Sequence, residues 1–107
     1  METLKKLYDT IIERKESGDE SSYTRYLFGK GLDKILKKCG EECAEMIIAA
    51  KNGDESELVY ESCDLIYHML VLLCHQGIDI GRIEEELERR SLKQGNLKPS
   101  KSVDKDS

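Results

Sequence analysis

The sequence predicts an all-α protein, and three observations support this fold class. Charged residues make up 36% of the 107-residue chain, aromatic residues make up 6%, and there is one Pro and no Trp. Apolar residues recur at spacings of three and four, the period of one helix face. Capping residues stand where the apolar patterns begin or end. Together these features favour an antiparallel bundle of about four helices over a sandwich or barrel.

The first helix is predicted over residues 2–16. Leu4, Leu7 and Ile11 lie on one helical face there, and Ser17-Gly18-Asp19 then breaks the pattern. A chain of this length buries only a modest core, which association with further copies often supplements. A homo-oligomer is therefore compatible with the composition from the start.

A second helical pattern runs from about Ser22, whose hydroxyl can cap a helix, to Lys51. Glycines at positions 29 and 31 can interrupt it. Its clearest part carries an apolar stripe that we expect to face the core. The stripe consists of Leu32, Ile35, Leu36, Cys39, Cys43, Met46, Ile47 and Ala50.

A tight turn is predicted to follow. Asn52-Gly53 can end a helix with a left-handed residue, and Asp54 with Glu57 resembles the capping box of the next helix. This third helix is expected over about residues 55–76, antiparallel to the second. Its residues from Leu58 to Leu73 are apolar almost all round.

The fourth helix is short, and the apolar pattern ends with it. Gly77 closes the third helix, and Asp79 can cap a helix that continues to Arg90. Residues 1–92 are therefore predicted to form one domain. Residues 93–107 have few apolar side chains and mixed charge, so we predict a mobile tail.

Composition also limits the partners. The formal net charge of −5 repels a polyanion, so we do not expect nucleic acid to bind. No uninterrupted apolar run is long enough to span a bilayer, and the first ten residues mix charged and apolar side chains, unlike a signal peptide. We therefore expect a soluble, cytoplasmic protein that does not bind a membrane.

Four cysteines, at positions 39, 43, 63 and 74, lie in or beside apolar stripes. Their spacing includes no CxxC pair and does not match a zinc finger. Reduced cysteine behaves as a small apolar residue, so we interpret all four as core thiols. A cysteine-ligated zinc site is a minor alternative.

Two carboxylate pairs carry the chemical signal. Glu42 and Glu45 in the second helix, and Glu61 and Asp64 in the third, are each three positions apart and share a helix face. Because the turn folds the two helices back on each other, the four acids can converge. Ionised carboxylates about 6 Å apart repel by roughly 3 kcal/mol per pair at an effective dielectric constant near 20. Mg²⁺, or Mn²⁺, relieves this repulsion and prefers oxygen ligands.

The acids also have a simpler explanation. In a chain with 22 acidic residues, pairs at this spacing are common and can be solvated surface. This explanation fits the first pair better than Glu61 and Asp64, which lie in an apolar helix. His68 follows on the same helical line, and we interpret it as a buried histidine hydrogen-bonded to a neighbouring acid such as Asp64 rather than as a zinc ligand.

Lysines precede the first acid pair. Lys34, Lys37 and Lys38 stand one or two turns before Glu42, where they can bind phosphate as point charges or form a solvated basic face. Gly40 lies inside the same helix at a cost of about 1 kcal/mol relative to Ala. That cost suggests the close approach of a ligand or a neighbouring helix, although packing alone also explains it.

Glu42-x-x-Glu45 and, fifteen residues later, Glu61-x-x-Asp64 resemble the metal-binding signature of the MazG-like all-α nucleoside triphosphate pyrophosphohydrolases. Further segments resemble the phosphoribosyl-ATP pyrophosphatase family within that superfamily. They are Ser22-Tyr23-Thr24, Lys30 to Lys38, Gly40-Glu41-Glu42, Ala49 to Asp54, Glu61 to Leu73 and Glu88-Arg89-Arg90. The likeness covers roughly residues 4–92 and departs from the family at three of the cysteines.

The resemblance implies Mg²⁺-dependent hydrolysis of the α,β-phosphoanhydride of 1-(5-phosphoribosyl)-ATP by a homodimer, in histidine biosynthesis. Under it, the candidate metal ligands are Glu42, Glu45, Glu61 and Asp64. Glu42 or Glu45 is the candidate catalytic base. The candidate substrate contacts are Lys38, Lys51 and Glu41. Two other functions stay open: a house-cleaning pyrophosphohydrolase of free nucleotides, and a non-enzymatic helical interaction module whose acids are solvated.

Overall fold

The computed structural model describes residues 2–17, 19 and 21–91. These residues form five α-helices and no strand, which confirms the all-α prediction. The helices are α1 (Glu2–Ser17), α2 (Tyr23–Lys30), α3 (Leu32–Lys51), α4 (Glu55–His75) and α5 (Ile80–Ser91). The predicted tail, residues 93–107, lies outside the described part of the chain.

The second predicted helix is divided at Gly31, so the described helices number five rather than about four. Gly31 has a φ of 91° and a ψ of −174°, a conformation that residues with a Cβ rarely adopt. Its N–H donates to the Leu27 carbonyl (3.1 Å) as α2 ends, and its carbonyl accepts from the Ile35 N–H (3.2 Å) as α3 begins. Ser22 caps α2 as predicted, because its hydroxyl accepts from the Arg25 N–H (3.3 Å).

The predicted turn between α3 and α4 is confirmed. Gly53 has a φ of 69°, and the Asn52 N–H donates to the last turn of α3. The Asp54 carboxylate accepts from the Glu57 N–H (3.0 Å) and caps α4. In a complete capping box the Glu57 side chain would accept a hydrogen bond from the Asp54 N–H. Here that N–H donates to the Ala49 carbonyl instead (3.4 Å). α3 and α4 therefore pack as an antiparallel hairpin.

The chain between α4 and α5 is fixed from both sides. Asp79 accepts from the Gly81 N–H (2.9 Å) at the start of α5, as its predicted capping role requires. Tyr8, on α1, donates its hydroxyl hydrogen to the Ile78 carbonyl (2.6 Å). α5 is thereby held against α1, which also packs on α2 and α4.

The core lies where all five helices meet. Its buried residues are Tyr8, Ile11, Leu27, Ile35, Leu70, Val71, Cys74 and Ile80. Only Ile35 of the stripe predicted on α3 belongs to this set. The other residues of the stripe predicted on α3 lie at the edge of the core or outside it, because the neighbouring helices cover only part of α3.

The single chain leaves apolar faces of α3 and α4 uncovered. Ile47 is 54% exposed and Ile48 57%, while Val59 is 58% exposed and Tyr60 63%. The prediction that the whole α3 stripe faces the core is therefore wrong for this chain by itself. α4 likewise has apolar residues that α3 and α1 do not cover, among them Val59, Tyr60 and Met69.

α4 is also the described helix that is long and apolar enough, by length and composition, to cross a membrane. It packs against α3 and α1 and supplies three residues to the core, Leu70, Val71 and Cys74. It carries Glu61 and Asp64 in its middle. These features are those of the central helix of a bundle.

Two smaller predictions need correction. All four cysteines are free, but only Cys74 is buried and Cys63 is exposed, so Cys63 is not a core thiol. Burial raises the pKa of the Cys74 thiol, which keeps it protonated. A Cβ added to Gly40 would meet no atom within 4 Å in the described structure. No neighbouring helix among the described residues therefore explains why a glycine stands at this position.

Candidate metal centre

Three carboxylates meet between α3 and α4. Glu42, Glu45 and Glu61 each offer an oxygen atom, and these oxygens all lie within 4.8 Å of one another. The spacing of Glu42 and Glu45 puts both on the face of α3 that meets α4, and the hairpin brings Glu61 to them. The Asp64 carboxylate is not a member of this group, so the structure unites three of the four predicted ligands.

The cluster contains buried oxygen atoms without partners. Glu42 is only 5% exposed. Its Oε2 atom and that of Glu61 are buried and accept no hydrogen bond from the described residues. A buried carboxylate oxygen without a donor is costly, and a cation removes that cost. Three converging carboxylates are an oxygen-only ligand set, so the residues fit Mg²⁺ or Mn²⁺ and not a soft metal.

Glu61 is the acid most affected by its neighbours. A hydrogen bond with Glu45, burial, and the negative charges of Glu45 and Glu42 raise the pKa of Glu61 to about 7. Near neutral pH, and without a cation, Glu61 therefore holds a proton for part of the time and donates it to Glu45. A divalent cation at the cluster would displace that proton.

Lys38 forms the positive edge of the cluster. Its Nζ atom lies 3.4 Å from a carboxylate oxygen of Glu42 and 3.4 Å from one of Glu41. Burial by itself would lower the Lys38 pKa, but the electrostatic influence of Tyr23, hydrogen bonds to Glu42 and Glu41 and the negative charge of Glu42 outweigh it and raise the pKa. Lys38 therefore stays charged, and Glu41 lies beside the cluster without joining it.

Lys51 occupies a different place. It is the exposed last residue of α3. Nine residues separate it from Glu42, which corresponds to the opposite side of an ideal helix at 100° per residue. The structure thus brings Lys38, and not Lys51, to the carboxylates.

His68 is buried, as predicted, but with a different partner. It is 4% exposed, and its Nδ1 atom hydrogen-bonds to the main-chain carbonyl of Asp64 (2.8 Å) rather than to the carboxylate. Its Nε2 atom hydrogen-bonds to the Tyr23 hydroxyl (2.8 Å). The sequence predicts no site role for Tyr23 beyond its place in the segment Ser22-Tyr23-Thr24. Its 45-residue separation from His68 gives no local signal for this contact.

Two clefts border this region. One of about 240 Å³ is lined by residues of the α3–α4 hairpin, including Glu45, Glu61 and Glu57. A larger one of about 600 Å³ lies between α1 and the start of α2 and is lined by Arg14 and Tyr23 among others. We regard the smaller cleft as the more relevant to chemistry, because it contains two carboxylates of the cluster.

A carboxylate cluster with a lysine at its edge, held by an antiparallel hairpin in an all-α bundle, has the chemistry of a site for a divalent cation and phosphate groups. The family model described as phosphoribosyl-ATP pyrophosphohydrolase matches residues 4–91. The chain belongs to the phosphoribosyl-ATP pyrophosphohydrolase family, as the resemblance predicted.

Curated relatives agree. The chain is 50% identical to the phosphoribosyl-ATP pyrophosphatase of Clostridium novyi over 101 residues, covering 94% of this chain and 92% of the relative. It is 56% identical to that of Clostridium botulinum strain Kyoto, covering 86% and 84%. It is also 59% identical to part of the histidine biosynthesis bifunctional protein HisIE of Thermoanaerobacter pseudethanolicus, covering 78% of this chain and 38% of the relative.

Proposed function

We propose that the protein hydrolyses 1-(5-phosphoribosyl)-ATP to 1-(5-phosphoribosyl)-AMP and pyrophosphate, in histidine biosynthesis. Membership of the family and the names of its relatives support this substrate. The observation that carries the site is the convergence of Glu42, Glu45 and Glu61 with buried, unpartnered oxygen atoms. This activity would belong in the cytoplasm, where nucleotide substrates are available.

The same oxygens support a Mg²⁺ requirement, with Mn²⁺ as a substitute. Glu42, Glu45 and Glu61 are the proposed ligands. Asp64 is a fourth candidate, which would need to turn its carboxylate toward the other three. When bound, the cation would neutralise triphosphate charge and lower the pKa of an attacking water.

Each residue then has a proposed role in phosphoanhydride hydrolysis. A water oxygen forms a bond to a phosphorus atom of the α,β-anhydride while the bridging P–O bond breaks, and the water proton goes to a carboxylate. Of the two candidate bases, we favour Glu45, because it is exposed whereas Glu42 is buried and paired with Lys38. Lys38 stabilises the negative phosphates at the edge of the cluster, and Glu41 helps to orient Lys38. Lys51 is retained as a candidate contact for a remote part of the substrate.

A homodimer is the proposed assembly. Its support is the uncovered apolar surface of α3 and α4, which includes Ile47, Ile48, Val59 and Tyr60. Ile48 also lines the small cleft beside Glu45, so a second copy on this surface would border the site. Sedimentation of the native protein should give twice the chain mass. Tyr60→Glu should give the mass of one chain, whereas Ile12→Glu on α1 should not.

The decisive experiment for the activity is pyrophosphate release from phosphoribosyl-ATP with and without Mg²⁺. Release that requires Mg²⁺ and falls at least a hundredfold in folded Glu61→Gln would support the proposal. Equal or faster turnover of free nucleoside triphosphates would instead favour a house-cleaning enzyme. No turnover, and no stabilisation by Mg²⁺ beyond that given by matched ionic strength, would favour the interaction module.

A further inference from the structure

Three of the five tyrosines of the chain form one stack beside α4. The Tyr23 ring stacks on Tyr26 (6.0 Å between centroids, 24° between planes) and on Tyr67 (6.2 Å, 28°). Tyr67 is half-buried on α4, whereas Tyr23 and Tyr26 on α2 are 43% and 44% exposed. This tyrosine stack therefore runs from the interior of the bundle to its surface.

The inner part of the stack is held in place. The Tyr23 hydroxyl hydrogen-bonds to Nε2 of the buried His68 (2.8 Å), whose Nδ1 bonds in turn to the Asp64 carbonyl (2.8 Å). The Tyr67 hydroxyl is hydrogen-bonded to that of Thr24. An aromatic surface fixed in this way loses little conformational freedom when a flat ligand stacks on it.

The stack lies within reach of the carboxylate cluster. His68 follows Glu61 by seven residues on α4, which is about 10 Å along the helix axis and nearly the same face. Tyr23 is bonded to His68, so the exposed rings begin two helical turns from the cluster. The sugar and phosphates of a nucleotide can span this distance, with the phosphates at the cluster and the base at the rings.

The outer ring of the stack already holds a cation. The Nζ atom of Lys30 lies over the Tyr26 ring, 5.8 Å from its centroid. The negative face of an aromatic ring attracts such a charge. Because Lys30 is the exposed last residue of α2, a cationic ligand can displace its ammonium from the ring.

The base of the proposed substrate has the matching charge. Unsubstituted adenine is neutral at neutral pH. Adenine that carries a sugar or an alkyl group on N1 is far more basic, and it takes up a proton near neutral pH. It is then a flat cation, which suits the face of a tyrosine ring better than neutral adenine does.

We propose that the exposed rings of Tyr23 and Tyr26 bind the purine of the substrate and favour an N1-substituted, positively charged purine over that of ATP. This inference rests on the proposed function, since the substrate named there carries such a base. Tyr26 determines the preference, because its ring already attracts a cation. Tyr23 positions Tyr26 by stacking.

The first test measures binding without turnover. Its probes are 1-methyl-AMP, which is cationic at neutral pH, and its neutral isomer N6-methyl-AMP, each titrated calorimetrically into the native protein with saturating Mg²⁺. The native protein should bind the cationic isomer about three- to tenfold more tightly. Tyr26→Phe, which keeps an aromatic face, should retain this preference. Tyr26→Leu, which keeps a good helix former at an exposed position, should lose it.

The comparison of these two variants separates the ring from the negative charge of the carboxylate cluster, which both variants retain. Equal binding of the two probes to the native protein, binding of neither, or a preference that survives in Tyr26→Leu would overturn the proposal. These titrations decide the proposal even if phosphoribosyl-ATP proves not to be hydrolysed, in which case only the proposed function fails.

The second test measures selectivity during turnover. The kcat/KM for phosphoribosyl-ATP, divided by that for ATP, should fall about three- to tenfold in Tyr26→Leu and remain within about twofold of the native ratio in Tyr26→Phe. ATP has the same triphosphate, so losses at the cluster cancel in this ratio. An unchanged ratio in Tyr26→Leu, or an equal fall in both variants, would overturn the proposal.

Discussion

The Nζ atom of Lys38 lies 3.4 Å from a carboxylate oxygen of Glu42, one helical turn further along α3. Glu42 is 5% exposed, and its other oxygen lacks a hydrogen-bond partner in the described structure. Lys38 is therefore the side chain that compensates a buried negative charge at the centre of the cluster. Removing one partner of such a pair costs more than the pair itself contributes, because it leaves the other charge buried and unpaired.

Lys38→Met should therefore weaken both the fold and the reaction. We expect a loss of about 1–3 kcal/mol in the free energy of unfolding without metal, since Glu42 loses its charged partner. We expect kcat/KM to fall by at least about tenfold, mainly through KM, because an interaction with the phosphates is lost. Urea unfolding and steady-state kinetics measure the two effects. Lys37→Met is the matched control, since Lys37 is exposed and has no ion pair among the described residues.

The raised pKa of Glu61 makes the metal-free protein sensitive to pH. The pKa is about 7 in the folded state against an ordinary value of 4.5, so the folded chain binds this proton more tightly than the unfolded chain. The contribution to stability is therefore full below about pH 4.5 and is lost as pH rises through 7. Thermal unfolding of the metal-free protein should show this decline, and Glu61→Gln should reduce it.

Binding of Mg²⁺ should depend on pH in the opposite sense. The cation competes with the Glu61 proton, so the Mg²⁺ affinity should increase between pH 6 and 8, the window around the Glu61 pKa of about 7. Calorimetric titration at several pH values measures this change. Glu55→Gln, in the first turn of the same helix and outside the cluster, should behave like the native protein. An affinity that does not change over this window would contradict the assignment of Glu61 as a ligand.

Asp54 caps the N-terminus of α4, the helix that carries the cluster residue Glu61. Asp54 accepts from the Glu57 N–H (3.0 Å) at the point where α4 begins, and Glu61 stands on the next turn. Asp54→Ala should cost about 1 kcal/mol of stability, because the hydrogen bond at the helix start is lost. Asp54→Ser should retain most of it, since a serine hydroxyl also caps. Equal loss in both variants would mean that the negative charge, and not the cap, is what matters.

Local chemistry explains why much of the fold could be predicted. The turn at Asn52-Gly53, the caps Ser22, Asp54 and Asp79 and the pairing of α3 with α4 depend on residues close together in the chain. The convergence of Glu42, Glu45 and Glu61 follows from helical spacing and one short turn. Glycines at positions 29 and 31 indicate an interruption of the helix, and the structure places it at Gly31, whose φ is 91°.

Other features depend on packing that the sequence does not specify. The contact of Tyr23 with His68 joins α2 to α4 through two side-chain conformations. Which part of the α3 stripe is buried depends on how many neighbours α3 has, and Leu36 is 45% exposed because the described chain offers none on that side. The exclusion of Asp64 from the cluster likewise does not follow from helical spacing, which places it on the same face as Glu61.

Substitution of Gly40 tests whether another molecule packs against the exposed face of α3. A Cβ at this position would meet no atom within 4 Å in the described structure, and the residue is exposed within a helix. Gly40→Ala should therefore stabilise the protein by about 1 kcal/mol, because alanine restricts the unfolded chain and favours helix. For a domain of this size, the melting temperature should rise by about 4–8 °C.

Gly29→Ala on α2 is the control, since its Cβ also meets nothing within 4 Å and it lies on a different helix from the carboxylates. Both variants should melt at higher temperature than the native protein. If Gly29→Ala is stabilised and Gly40→Ala is not, the result would support the approach of a second copy of the chain to α3 at Gly40, because no described residue of the same chain lies there. Repeating the pair in the Tyr60→Glu background would then restore the gain at Gly40, since that variant separates the copies.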